Sequence, residues 1–112
     1  MSGQRIDAMI EISAQAICDP AQPLETLPHR LAEQWPEAPA LELTVALASA
    51  ADAVQAVFDE AGQSGRRAQR VWRQAAMVAA DLHYLALSGA NAATAGDLLA
   101  FWRSEDDMKD TS

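Results

Sequence analysis

The stretch LELTVALASAADAVQAVFDEAGQSGRRAQRVWRQAAMVAADLHYLALS, residues 41–88, decides the fold of this chain. Each half carries apolar residues at alternating intervals of three and four, a spacing that keeps one stripe of an α-helix facing a partner. The stripes consist of Leu43, Leu47, Ala50, Val54, Val57 and Ala61, and of Ala68, Val71, Ala75, Val78, Leu82 and Leu85. We therefore predict an antiparallel helical hairpin with arms at about 41–61 and 65–88, joined by a turn at 62–65.

Shorter helices are predicted on both sides of the hairpin, at about 4–18, 27–35 and 94–104. The first ends before Pro20, because a residue that precedes proline is pushed out of the helical region. Its apolar face consists of Ile6, Met9, Ile10, Ser13 and Ile17. The alanine-rich composition also favours helix over strand. Together these features predict an all-α fold, a small helical bundle built on the hairpin.

Local signals mark several helix ends. Thr26 can cap the helix at 27–35, with Pro28 in the first turn, where its missing N–H costs nothing. Gly89 suits the left-handed conformation that often ends a helix. Thr94, followed three residues later by Asp97, is typical of a capping box that starts the last helix.

Size and charge limit the functions open to this chain. It has 112 residues and a net charge of −8 at pH 7, so we predict one helical domain, 1–112, with a disordered acidic tail at 105–112. An acidic surface repels phosphate backbones, which argues against nucleic acid as a partner. No apolar run reaches the roughly 20 residues of a membrane span, and the single Cys18 excludes an internal disulfide. We expect a cytoplasmic protein without membrane contact, and the arginine and alanine usage indicates a bacterial source.

Four arginines in two turns of the second arm form the strongest candidate site. They are Arg66, Arg67, Arg70 and Arg73. Positive charges at a helix N-terminus oppose the helix dipole, at a cost of about 0.3–1 kcal/mol each, so something must offset them. One interpretation is a bound anion, such as the phosphate of a ligand, held together with free N–H groups of the turn. The other is ion pairing with Asp59 and Glu60 at the end of the first arm.

The second arm carries another stripe, about 100° around the helix from the hairpin stripe. It consists of Trp72, Ala76, His83 and Leu87. A helix with two such stripes needs cover on two sides, so we expect the second arm to be the central helix. The shorter helices offer little area for this cover, and we therefore expect a homodimer in which a second copy supplies part of it.

Patterns for catalysis or metal binding are weak. His29 stands four residues from both Glu25 and Glu33, but Pro28 starts the helix after Glu25, which removes one ligand from the face. Nucleophile and base candidates occur without a glycine-rich elbow or an oxyanion loop. They are Cys18, His29, Ser49, His83 and Ser88. The sequence thus indicates no catalytic residue, no metal site and no cofactor.

The favoured interpretation is a small acidic interaction or regulatory module, homodimeric, that meets an unidentified protein partner through its arginines and aromatic residues. The candidate contacts are Arg66, Arg67, Arg70, Arg73, Trp72 and His83, with Trp35 and Trp102 as further aromatic contacts. The alternative is a binder of a small anionic, phosphate-bearing ligand through the same arginines. A third is a DNA-associated regulator, because 89–93 joins two helices as in a helix-turn-helix, although the second of these helices is acidic.

Overall fold

The computed structural model describes residues 2–59, 61–90 and 93–110, and within them the side chains from 4 to 106. The described residues form five helices. In chain order they are α1 (Ser2–Cys18), α2 (Leu27–Gln34), α3 (Leu41–Val57), α4 (Gln63–Leu87) and α5 (Ala95–Asp110). The predicted all-α fold, a small helical bundle, is confirmed.

The arms of the hairpin, α3 and α4, pack against each other along their length. The side chains that meet are mostly those of the predicted stripes: Leu43, Leu47, Ala50 and Val54 from α3, and Ala68, Val71, Ala75, Val78 and Leu85 from α4, are buried. Gln55 fixes the register, because its Nε2 donates to Gln69 Oε1 at 3.3 Å and its Oε1 accepts from Trp72 Nε1 at 2.8 Å. The start of α3 therefore lies beside the end of α4.

The connection between the arms differs from the predicted turn. α3 ends at Val57, and α4 already begins at Gln63. The carboxylate of Asp59 accepts a hydrogen bond from the Ala61 backbone N–H at 3.2 Å, and its carbonyl accepts one from Gly62 at 3.0 Å. These local bonds replace helical ones, so the chain turns before the stripe is complete. Val57 is 77% exposed as a result.

The central helix is α3, and the expectation that the second arm would be central is wrong. α3 packs most extensively against α4 and next against α1. Its buried residues lie on both flanks: Leu43, Ala46, Leu47, Ala50, Ala51 and Val54. α1 is joined to it by Arg5, whose Nε and Nη2 donate to the two carboxylate oxygens of Glu42, each at 2.8 Å. Alanine on both flanks lets α3 approach two helices closely, whereas α4 carries arginines on its outer side.

α5 is anchored on the segment between α2 and α3. The backbone N–H of Ala95 donates to the Ala38 carbonyl, and that of Gly96 donates to the Pro36 carbonyl, each at 2.8 Å. A Cβ atom on Gly96 would lie 3.1 Å from the Pro36 carbonyl oxygen. A side chain at this position would crowd the Pro36 backbone, and the close approach sets where α5 leaves the bundle.

Two of the predicted helix ends are confirmed and one is not. Thr94 and Asp97 form a reciprocal capping box, with both side chain to backbone hydrogen bonds at 3.2 Å. Gly89 has a φ of 76°, in the left-handed region that ends α4. Thr26 precedes α2, but its side chain makes no capping hydrogen bond. The first turn of α2 relies instead on Pro28, which has no N–H to satisfy.

The acidic end of the chain continues α5 to Asp110, beyond the predicted helix end at 104 and into the segment predicted to be disordered. Adding residues to a formed helix costs little, because each brings its own backbone hydrogen bond. The side chains of Glu105 and Asp106 are exposed. Residues 111 and 112 of the predicted tail lie outside the described residues.

Candidate functional site

The first turns of α4 hold the arginine cluster, and the structure divides its members into two pairs. Arg67 and Arg70 bind other parts of the chain. Arg66 and Arg73 are exposed, and among the described side chains neither has an ion-pair or hydrogen-bond partner. The four arginines therefore do not form one site.

Arg67 binds the end of α1. Its Nε donates to the Ile17 carbonyl at 2.8 Å, and its Nη2 donates to the carbonyls of Ala16, Asp19 and Gln22 at 2.8, 2.9 and 2.7 Å. The last carbonyls of a helix lack partners within it and carry the negative end of its dipole. The negative end of α1 thus offsets the arginine charge that opposes the dipole of α4. Arg67 is a structural residue that joins two helices.

Arg70 pairs with Glu25, just before α2. Its Nη2 lies 2.9 Å from Glu25 Oε1, and the two side chains are 49% and 69% exposed. The Glu25 backbone N–H, and next the Arg70 side chain, hold the pKa of the Glu25 carboxyl below its ordinary value. An ion pair this exposed is weak, but it leaves little net charge at the position.

The predicted pairing of the arginines with the end of the first arm is wrong for Asp59. The Asp59 carboxylate accepts from the Ala61 backbone, and among the described residues it forms no ion pair with an arginine. Glu60, the other predicted partner, lies outside the described residues. The arginines find acceptors elsewhere because α1 and the segment before α2 pack beside the first turns of α4.

A cavity of about 230 Å³ lies between the start of α2, the middle of α4 and α5. We call it the three-helix cavity. Its apolar lining consists of Pro28, Met77, Val78 and the ring of Trp102. The imidazole of His29 also lines it and contacts the Trp102 ring at a tilt of 37°, with ring centroids 4.7 Å apart. The sequence did not predict this cavity, because its residues come from three separate segments with no shared spacing.

The polar lining of the three-helix cavity is mostly engaged. Trp102 Nε1 donates to Asp81 Oδ2 at 2.8 Å, which ties α5 to α4. Glu25 pairs with Arg70, and the Gln74 side-chain N–H donates to the Leu24 carbonyl. Gln74 Oε1 is buried and has no hydrogen-bond partner. Arg73, the one member of the arginine cluster in the lining, lies on the exposed rim.

The second predicted stripe of α4 is only partly placed as expected. Trp72 is half-buried against α3, through its hydrogen bond to Gln55. Ala76, His83 and Leu87 are exposed. Burial of Trp72 follows from the register of the hairpin, which brings Gln55 beside it.

A wider exposed surface surrounds this stripe. At the adjoining end of α3, Leu41 is 59% and Val45 44% exposed, and Leu87 on α4 is 75% exposed. We define the hairpin face as the exposed residues Leu41, Val45, Asp52, Ala76, Ala80, His83 and Leu87. It is mainly apolar, with Asp52 and His83 as its titratable side chains.

Within the described part of the chain, no three or more histidine, cysteine, aspartate or glutamate side chains are grouped as metal ligands would be. In the same residues no helix combines the length and apolar character needed to cross a bilayer. The chain matches no protein-family model, no curated protein and no solved structure.

Proposed function

We propose that this protein is a homodimeric interaction module in which two copies pair through the hairpin face. The observation that carries the proposal is the exposure of Leu41, Val45 and Leu87, three large apolar side chains at one end of the hairpin. Monomeric proteins rarely expose large contiguous apolar patches, and paired helical hairpins bury such faces in four-helix bundles. A two-fold pair is the commonest way to cover such a surface.

The composition of the hairpin face suits a second copy of the same chain. Ala76 and Ala80 lie near its middle, and their small side chains allow two backbones to approach closely. Because Gln55 lies beside Gln69 and Trp72, Asp52 lies several residues away from His83 along the hairpin. A two-fold axis between them brings Asp52 of one copy towards His83 of the other. The face therefore carries its own complementary groups.

The biological role that we propose is regulation through a protein partner of the dimer, in the cytoplasm of a bacterium. The exposed free thiol of Cys18 suits a reducing compartment. Arg66 stays exposed on α4 and is available to an acidic partner surface.

Two valines of α3 locate the proposed interface. Val45 lies in the hairpin face, whereas Val57 is exposed at the other end of α3, outside that face. Val45→Glu should convert the dimer to a monomer in size-exclusion chromatography with light scattering, because it places a charge in an apolar contact. Val57→Glu, the matched control, should remain dimeric. Equal dissociation of both variants, or of neither, would contradict the proposed interface.

A further inference from the structure

The three-helix cavity has the features of a small-molecule site that is independent of the proposed dimer. Its volume of about 230 Å³ lies below the roughly 300–1,000 Å³ of pockets that take drug-sized ligands. A molecule with a single ring and a short substituent suits this size. Pro28, Met77 and Val78 give the body of such a molecule an apolar surface, and the Trp102 ring gives it an aromatic one.

The amide of Gln74 offers a ligand in the cavity no free group. The Gln74 side-chain N–H faces the Leu24 carbonyl, so the amide cannot be reversed without placing two oxygens together. Gln74 Oε1 is thereby left as a buried acceptor without a donor. Because this atom is closed to solvent, a ligand in the cavity does not reach it, and the carboxylate of Asp81 is the acceptor that remains.

The charges of the lining favour a positively charged ligand. Trp102 Nε1 donates a hydrogen bond to Oδ2 of Asp81. Among the described side chains no cation pairs with this carboxylate. The indole ring of Trp102 adds a surface that attracts cations. The charge of Glu25 is largely offset by Arg70, 2.9 Å away. The whole chain, with a net charge of −8, also draws cations.

Arg73 adds a positive charge to the lining of the cavity. This charge repels a cationic ligand and would attract an anionic one. Arg73 lies on the exposed rim, where its charge is screened by solvent. An anion in the cavity would meet the carboxylate of Asp81 and the face of the Trp102 ring, each of which repels negative charge. The deeper groups therefore decide the sign of the ligand, and that sign is opposite to the one that the arginine cluster indicated.

We infer that the three-helix cavity binds a small primary or secondary amine in its ammonium form, attached to a single-ring apolar body. The ammonium donates hydrogen bonds to the Asp81 carboxylate and lies against Trp102, and the apolar body contacts Met77 and Val78. Arg73 weakens this binding by charge repulsion and is not a ligand of the amine.

Three probes of similar size but different head groups test this assignment: 4-methylbenzylamine, 4-methylbenzyl alcohol and 4-methylbenzoate. They are titrated into the isotope-labelled full chain at pH 7, following the indole N–H resonance that a Trp102→Phe variant assigns. For ligands this small we expect millimolar affinity for the amine. The alcohol should bind at least about fivefold more weakly, because it lacks the charge. The benzoate should give no saturable shift up to about 10 mM.

Arg73→Gln gives the most decisive result. Removing this rim charge should lower the dissociation constant of the amine about two- to sixfold. Arg66→Gln is the matched control, because Arg66 is also exposed and lies on the same helix but does not line the cavity, and it should change nothing. Asp81→Asn keeps an oxygen for the Trp102 N–H, and it should raise the dissociation constant at least about threefold.

Several outcomes would overturn the assignment. One is benzoate binding more tightly than the amine, and another is weaker amine binding in Arg73→Gln. A third is the absence of saturable shifts with all three probes. None of these results depends on the oligomeric state, which light scattering on the same samples reports, so failure here is distinguishable from failure of the proposed dimer.

Discussion

Replacing Arg67 by glutamine should destabilise the fold far more than the same change at its neighbour Arg66. Arg67 makes four hydrogen bonds of 2.7–2.9 Å to backbone carbonyls, three of them partly buried. A net loss of about 1 kcal/mol for each partly buried bond gives about 3 kcal/mol in the free energy of unfolding. For a chain of this size that corresponds to a fall in melting temperature of about 12 °C.

Arg66→Gln provides the internal comparison. Its side chain has no partner among the described residues, and its positive charge lies at the unfavourable end of the α4 dipole. The change should leave stability within about 0.5 kcal/mol of the parent, or raise it slightly. Urea unfolding followed by circular dichroism at 25 °C measures both variants. Equal losses in the two variants, or a loss below about 0.5 kcal/mol for Arg67→Gln, would refute the assignment of Arg67 as the residue that holds α1 to α4.

Two further perturbations test the packing and the charges. Gly96→Ala places a Cβ 3.1 Å from the Pro36 carbonyl oxygen, so it should lower the free energy of unfolding, measured with urea, by about 1–3 kcal/mol. A change near zero would show that α5 can shift to accommodate the side chain. Glu25 has a folded-state pKa below its ordinary 4.5, so its contribution to stability is present above that pH and is lost as the pH falls through the folded-state pKa. Glu25→Gln should therefore lose less stability than the parent on acidification, whereas identical pH profiles would exclude this contribution.

The pairing of the hairpin arms and two of the helix ends were predictable because their signals are local. Alternation of three and four residues defines which side of α3 meets α4, and it needs no knowledge of the rest of the chain. The capping box of Thr94 and Asp97 and the left-handed Gly89 depend on residues only a few positions apart. The early end of α3 was missed because the Asp59 carboxylate competes with the helix for a backbone N–H, a choice that periodicity does not reveal.

The position of α3 and the roles of the arginines were not predictable for a different reason. The carbonyls that Arg67 binds are main-chain groups 45 to 51 residues away, and any residue type could supply them. The alanines that let α3 approach both α1 and α4 are also ordinary helix formers, so their presence in the sequence does not indicate a central helix. The three-helix cavity lies between α2, α4 and α5, so it depends on the anchoring of Gly96 on Pro36 rather than on a motif.

Sedimentation equilibrium of the unmodified chain at about 1–100 µM tests the proposed homodimer most directly. Pairing through the hairpin face predicts a mass that approaches 24.0 kDa, twice the 12.0 kDa of the chain, as the concentration rises. A mass that stays at 12.0 kDa over the whole range would contradict the proposal, because the apolar side chains of the hairpin face would then remain exposed to water.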